Sequence, residues 1–416
     1  MHAIILGTGW SGLAAAITLI QNNVKPILLE ASPHAGGRAR EVIWNDLKID
    51  NGQHLLLGAY TSFIELLEII NPKNFDINSV LHRMPFELNF YDQRKNLISI
   101  SRKNNFYYQT KGLSFKEKIL TLNLIKNIYL NKYLNNNSVN DFLIKSKQNA
   151  KLYNLWNNIC VSALTTNIHS AHAETFANTL KSSIFKNKIF SDLLIPKVSL
   201  SELFVKPAVK YIINNGGEIH YNTRAKKIIT NSKNNIITNI ETNKGNYSSE
   251  KIISALPYFV TNKLFNNINI NLDSEKITTL YLKYKNNPKL PHLITGLLQH
   301  NIDFIFDKKI EHPGLISVVS SSNNNFNNLP KDKMLEIAYN EIKNLFPEFN
   351  EIDSYKIITE KFAAYRCDYN SKKIDFKKIN PYKNLCIAGD YNYHKYPATL
   401  ESAIRSGIIG AKSIAP

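Results

Sequence analysis

The chain opens on a short apolar run, Ala3 to Leu6. Gly7, Gly9 and Gly12 follow at G-x-G-x-x-G spacing, and an Ala/Leu/Ile-rich stretch then runs to about Ile20. No other feature constrains the fold as strongly, because it dictates strand, tight turn and helix in one breath. Gly7 permits the turn, Gly9 lets backbone approach a pyrophosphate, and Gly12 lets the helix pack close to the strand. Trp10 and Ser11 stand in the first helical turn, where free N–H groups and the positive dipole end suit phosphates. A second apolar run, Pro26 to Leu29, ends at Glu30. An acid there accepts from a ribose 2′-hydroxyl and repels a 2′-phosphate. Gly36, Gly37 and Arg38 come next, with Arg40 behind them. The glycines bring backbone close to a second phosphate contact, and an arginine supplies charge-assisted bonds.

The far end of the chain carries a matching set. Cys386-Ile-Ala-Gly389-Asp390 reads as a last strand and turn, and Tyr396-Pro397-Ala398-Thr399-Leu400-Glu401 leads through Gly407 into a final helix. Proline suits a first helical turn. Glu401 reads as a helix-start residue rather than an acid catalyst. Between the ends, Gly216-Gly217 stops a helix before a strand, and Ile236–Ile240 and Lys251–Pro257 read as strands returning to the nucleotide-binding core. The pattern predicts an α/β fold with a parallel sheet.

Gly7–Gly12, Glu30, Gly36-Gly37-Arg38 and Gly389-Asp390 together resemble the amine-oxidase and phytoene-desaturase superfamily of FAD enzymes. Asp50-Asn51-Gly52-Gln53-His54 through Tyr60, Cys160–Thr166, Leu194–Leu200 and Tyr396–Gly407 resemble its hydroxysqualene dehydroxylase branch. The likeness runs over nearly the whole length. It implies FAD as cofactor and a Rossmann-type FAD-binding domain from 1–80, 195–270 and 380–416. It also implies a mixed α+β substrate domain from 81–194 and 271–379. It implies that Gly52 and Gln53 pass near the flavin ring, that Gly389 and Asp390 face ribityl or pyrophosphate oxygens, and that the helix start at Ala398, Thr399 and Leu400 points at the flavin. Ala225 stands where the superfamily often has a valine whose backbone meets the adenine.

The reaction this resemblance implies is reductive removal of an allylic hydroxyl from hydroxysqualene to give squalene. Its partners would be a hydrophobic isoprenoid substrate and an electron donor that the sequence does not name. His54, Asp50, Tyr60 and Tyr396 are the acid or cation-stabilising candidates, His54 first because imidazole titrates near neutral pH. Tyr365-Arg366 faces either the cavity or a strand surface. Two other readings stay open: an oxidative polyprenoid desaturase, or an amine oxidase in which Tyr391, Tyr393 and Tyr396 form an aromatic cage. A non-catalytic FAD-binding scaffold is a third.

Fifty-one basic against 33 acidic residues leave a net charge of +18. No nucleic-acid fold signature accompanies it, so anionic lipid is the better-suited partner. Cys160, Cys367 and Cys386 lie at no metal-ligand spacing and are expected to pack in a reducing, cytoplasmic setting. The chain enters a core strand near residue 3 without a signal-like segment, and no apolar run reaches the ~18 residues of a spanning helix. The stretch 112–134 predicts an amphipathic helix, capped by Ser114 with Glu117 at capping-box spacing and edged by lysines. Such a helix packs in the core or lies on the inner face of a membrane.

Overall fold

The computed structural model describes every residue except 105–107, 232, 322–323, 371–373, 394 and 416. Its centre is a five-stranded parallel sheet. In space the order is Glu218–His220, Lys25–Leu29, His2–Leu6, Ile252–Ser254, Leu385–Ile387. Numbered by chain position that order is 3-2-1-4-5, the doubly wound arrangement. The apolar runs follow from burial on both faces. Ala3 and Ile5 pack with the helices Trp10–Gln21 and Leu400–Ile414 on one side. Ile4 and Leu6 pack with Ile237, Ile240 and Phe265 on the other.

The strands between 225 and 247 differ from expectation. Ala225–Asn231, Ile236–Thr242 and Gly245–Tyr247 form a separate antiparallel meander that covers one face of the parallel sheet instead of joining it. Only Glu218–His220 and Ile252–Ser254 return to the core. Alternation explains this. Ile228, Ile237 and Ile240 point into the buried cluster beneath, whereas Lys226, Lys227 and Thr238 lie exposed. A sheet with one wet face suits antiparallel pairing.

A second, eight-stranded sheet has the order Ile352–Tyr365, Ser274–Tyr284, Leu315–Ser321, Phe304–Asp307, Ile294–Leu297, Glu87–Tyr91, Leu97–Arg102, Tyr108–Lys111. The block 271–379 supplies the strands Ser274–Tyr284, Phe304–Asp307 and Leu315–Ser321 and the helix Lys331–Leu345. The strands from residues 87–111 precede the helix expected over 112–134 and give the block 81–194 strands as well as helices. Along Ser274–Tyr284, Leu280 and Leu282 bury against the helix Lys331–Leu345, while Tyr281 turns to the other face. That face meets the loop after strand Leu47–Asp50.

Candidate functional site

The turn after strand His2–Leu6 is built by sterics. Gly7 has φ +96°, and a Cβ on Gly12 would lie 2.1 Å from the Gly7 carbonyl oxygen. The helix Trp10–Gln21 starts at Gly9 with no side-chain cap, so its first N–H groups are left for another partner. The Ser11 hydroxyl, buried in that first turn, has no hydrogen-bond partner among the described residues. Gly36 (φ +110°) and Gly37 (φ +61°) close over the turn, with Gly36 N–H donating to Thr8 O at 2.9 Å. A backbone cradle of this kind, with free amides and an orphaned hydroxyl, fits a pyrophosphate. Trp10 departs from expectation. Its indole is in the core, donating to Ala39 O at 3.0 Å and stacked 4.5 Å from Phe204, so only its backbone can serve the cradle.

Glu30 is held in place by the turn itself. Its Oε2 accepts from Thr8 N at 2.9 Å and Thr8 Oγ1 at 2.6 Å, and Oε1 accepts from Ser32 N at 2.8 Å. Thr8, the x of the first G-x-G, thus aims the acid, which keeps lone pairs for ribose hydroxyls. Thr223 N–H donates to Glu30 O at 2.7 Å, which brings Ala225 and its strand beside the same acid.

The C-terminal block closes the other side. Gly389 N–H donates to Ser406 Oγ at 3.0 Å. Asp390 is buried and accepts from Arg38 Nη2 at 2.8 Å. Arg38 also donates to the carbonyls of Phe362 and Ala363 at 3.1 and 3.0 Å. This pair, 352 residues apart in sequence, ties the loop after Glu30 to the last strand. Three of the five Arg38 N–H groups are thus engaged within the protein, and Arg40 donates to Gly37 O.

The final helix begins at Leu400, not at Pro397. Thr399 is its N-cap, in extended geometry, with Oγ1 accepting from Ser402 N at 3.1 Å. Glu401 serves a different helix. Its carboxylate accepts from Ser62 N at 3.0 Å and Phe63 N at 3.1 Å, capping the helix Thr61–Ile70, and it pairs with Arg405 at 2.6 Å. Tyr60 stands at that same helix start, and burial pushes its phenol pKa up.

Loop 50–54 lies against the eight-stranded sheet. Gln53 Oε1 accepts from Ser317 Oγ at 2.7 Å, and Tyr281 Oη donates to Asp50 O at 2.9 Å. A Cβ on Gly52 would meet Thr279 Oγ1 at 3.7 Å, so there is room at its backbone. His54 Nδ1 lies 2.9 Å from Gly52 O. A carbonyl only accepts, so Nδ1 carries the hydrogen and Nε2 the lone pair. Burial, aided by the positive charges of Lys308 and Arg38, pushes the imidazole down to about 4. Burial therefore favours the neutral ring, whose Nε2 accepts rather than donates. Asp50 moves the other way. Its Oδ1 accepts from Leu200 N at 2.8 Å, and burial pushes it up to about 7 against the pull of Lys308.

Beside Gln53 the wall turns apolar. Phe306 is the cross-strand partner of Ser317 and so shares its face. Phe306, Leu55, Leu57, Ile195 and Leu293 keep part of their surface open while packing on the buried cluster around Phe90, Trp156 and Phe304. The three tyrosines do not form one cage. Tyr391 donates to Leu256 O at 3.0 Å, while Tyr393 and Tyr396, 5.6 Å apart, both face the Arg405 guanidinium. Tyr365 donates to Tyr396 O at 3.1 Å, and Arg366 is bound by Asp273, Glu275 and Asp368. A cleft of about 600 Å³ opens beside Tyr365 and Tyr391, but Glu174, Arg366 and Asp368 make it polar.

Comparison with known proteins agrees with this geometry. The family model described as flavin containing amine oxidoreductase matches residues 10–415. Hydroxysqualene dehydroxylase of Zymomonas mobilis is 24% identical over 97% of this chain and 96% of its own length. The 15-cis-phytoene desaturase of Synechococcus elongatus is 21% identical over 100% and 96%. A putrescine oxidase solved with putrescine superposes with a TM-score of 0.74 at 13% identity, covering 100% of this chain and 99% of that one. An FAD-dependent oxidoreductase is the consistent reading of cradle, acid and closure, and the chain belongs to the flavin-containing amine oxidoreductase family.

Proposed function

We propose that the chain converts hydroxysqualene to squalene by FAD-dependent reductive dehydroxylation. The near-full-length likeness to the Zymomonas mobilis dehydroxylase carries the reading. In it, Gly7, Gly9, Ser11, Gly12, Gly36 and Gly37 hold the pyrophosphate, and Glu30 and Ala225 hold the adenosine. Gly52, Gln53, Gly389, Asp390, Ala398, Thr399 and Leu400 hold the ribityl and ring. Segments 1–80, 195–270 and 380–416 form the cofactor domain, and 81–194 with 271–379 cover the substrate.

Reduced FAD, when bound, supplies a hydride. The allylic C–O bond breaks, the hydroxyl leaves with a proton as water, and a C–H bond forms in its place. A separate electron donor must restore the reduced cofactor. The apolar wall of Leu55, Leu57 and Phe306 excludes water that would recapture an allylic cation. His54 Nε2, fixed by the Nδ1 contact to Gly52, accepts a hydrogen bond. Asp50 is assigned the proton, because it titrates near neutrality and its Oδ2 is left to carry it once Oδ1 binds Leu200. The amine-oxidase alternative is disfavoured by Arg405, which stands where an amine would meet Tyr393 and Tyr396.

The test is a single turnover. The holoprotein is photoreduced without oxygen and mixed with hydroxysqualene. Returning flavin absorbance with squalene formed is expected. Unchanged absorbance and no squalene would overturn the proposal, and bleaching of oxidised flavin by phytoene would favour the desaturase.

A further inference from the structure

The helix Phe115–Tyr129 is apolar on two opposite faces. Leu124 and Ile128 are buried in the cluster that also holds Phe90 and Trp156. Phe115 is nevertheless 80% exposed, Leu122 64%, Tyr129 53% and Ile119 50%, and Leu130 just beyond the helix is 55% exposed. At 3.6 residues per turn, positions 115, 119, 122, 126 and 129 fall within an arc of about 80°. The exposed residues therefore form one stripe, on the side away from the core. Lys126 lies within the stripe, and Lys116, Lys118 and Lys132 flank it, all exposed. The sole acid between residues 112 and 134 is Glu117. It is buried and occupied by the capping box, accepting from Ser114 N at 2.8 Å.

We propose that this face docks on an anionic lipid surface. Two observations select lipid over a protein partner. The stripe mixes unpaired lysines with large apolar side chains and offers no exposed acid, which suits headgroup phosphates above acyl chains. The inner face of the same helix packs on the cluster that borders the partly open wall of Leu55, Leu57 and Phe306, so docking sets the enzyme's apolar interior against the phase that dissolves an isoprenoid. No described helix is long and apolar enough to cross a membrane; docking therefore lays the helix in the interface. The docking itself stands on the exposed stripe, and only its use for substrate delivery rests on the proposed function.

Flotation of the holoprotein with vesicles tests this. Binding to phosphatidylglycerol–phosphatidylcholine vesicles, and not to phosphatidylcholine alone, is expected. The variant F115S/I119S/L122S is expected to lose it. Each lysine near an anionic surface contributes about fivefold, so K116Q/K118Q/K126Q should weaken partitioning about a hundredfold, with flavin absorbance and melting unchanged. Flotation of the apolar variant equal to that of the parent would overturn the proposal, as would no flotation of the parent. So would a dimer in the absence of lipid that the apolar variant converts to monomer, which would assign the face to a second copy. Both variants should still form squalene from detergent-dispersed hydroxysqualene. Loss of turnover with flotation intact counts against the proposed reaction alone.

Discussion

Gly407 is where the two ends of the chain meet. A Cβ there would lie 2.1 Å from Ser11 O and 3.1 Å from Ala15 N, so Gly407→Ala drives the final helix into the backbone of the helix Trp10–Gln21. Restoring an ordinary contact needs a shift of roughly 1 Å. Overpacking of this kind costs about 3 kcal/mol at the upper end of its usual range. Alanine's higher helix propensity offsets about 1 kcal/mol of that. The net loss of about 2 kcal/mol corresponds to a melting shift of only about 2 °C for a chain this long. The larger effect falls on the cofactor. Thr399 and Leu400 sit two turns upstream on the same helix, and a displacement of roughly 1 Å there should weaken FAD binding at least about tenfold. Gly410→Ala is the control, because its Cβ would meet Cys386 Sγ at 3.2 Å and Ala388 Cβ at 3.6 Å, contacts that small shifts accommodate. Flavin content of the purified protein and FAD titration of the apoprotein read the outcome. FAD binding by Gly407→Ala equal to that of Gly410→Ala would refute the reasoning.

Two further substitutions probe buried carboxylates. Glu401→Gln keeps one acceptor for Ser62 or Phe63 but breaks the Arg405 pair, and should lower stability by about 2 kcal/mol; melting equal to the parent protein would show that the cap contributes nothing. Asp50 is raised by burial to about 7 from 3.8, so the folded state holds its proton more tightly than the unfolded chain. That contribution is fully present below about pH 4 and is lost as pH rises through about 7, above which the buried carboxylate costs up to about 4 kcal/mol. Asp50→Asn removes the ionisation, so its stability relative to the parent should rise between about pH 4 and 7 and level off above, while squalene formation falls. A constant difference across that range would contradict the raised carboxyl.

The parts legible in sequence were those set by backbone sterics and local periodicity. Gly7, Gly9 and Gly12 define their turn whatever lies elsewhere, and Ser114 with Glu117 announces its helix within four residues. The illegible parts depend on partners far along the chain. Nothing local in Arg38 points to Asp390. Glu401 has the look of an acid in its own helix's first turn, and its role appears only when the helix Thr61–Ile70 packs against it. Tyr391, Tyr393 and Tyr396 are close in sequence, yet the turn after Gly389 sends Tyr391 to Leu256 and the other two to Arg405. His54 has the residue type of an acid, but its burial and the neighbouring Lys308 and Arg38 favour the neutral ring. Thr8 was within reach of sequence reasoning, since a hydroxyl between the first two glycines stands directly below the strand end that carries Glu30.

The central claim is that the carbon losing its hydroxyl receives a hydride from the flavin. The holoprotein can be reduced in D2O, where the reduced cofactor's exchangeable hydrogens become deuterium, and given unlabelled hydroxysqualene in a single turnover. Squalene carrying one deuterium, formed as flavin absorbance returns, is the predicted product. Squalene without deuterium, or a more unsaturated product formed only with oxidised flavin, would contradict the account.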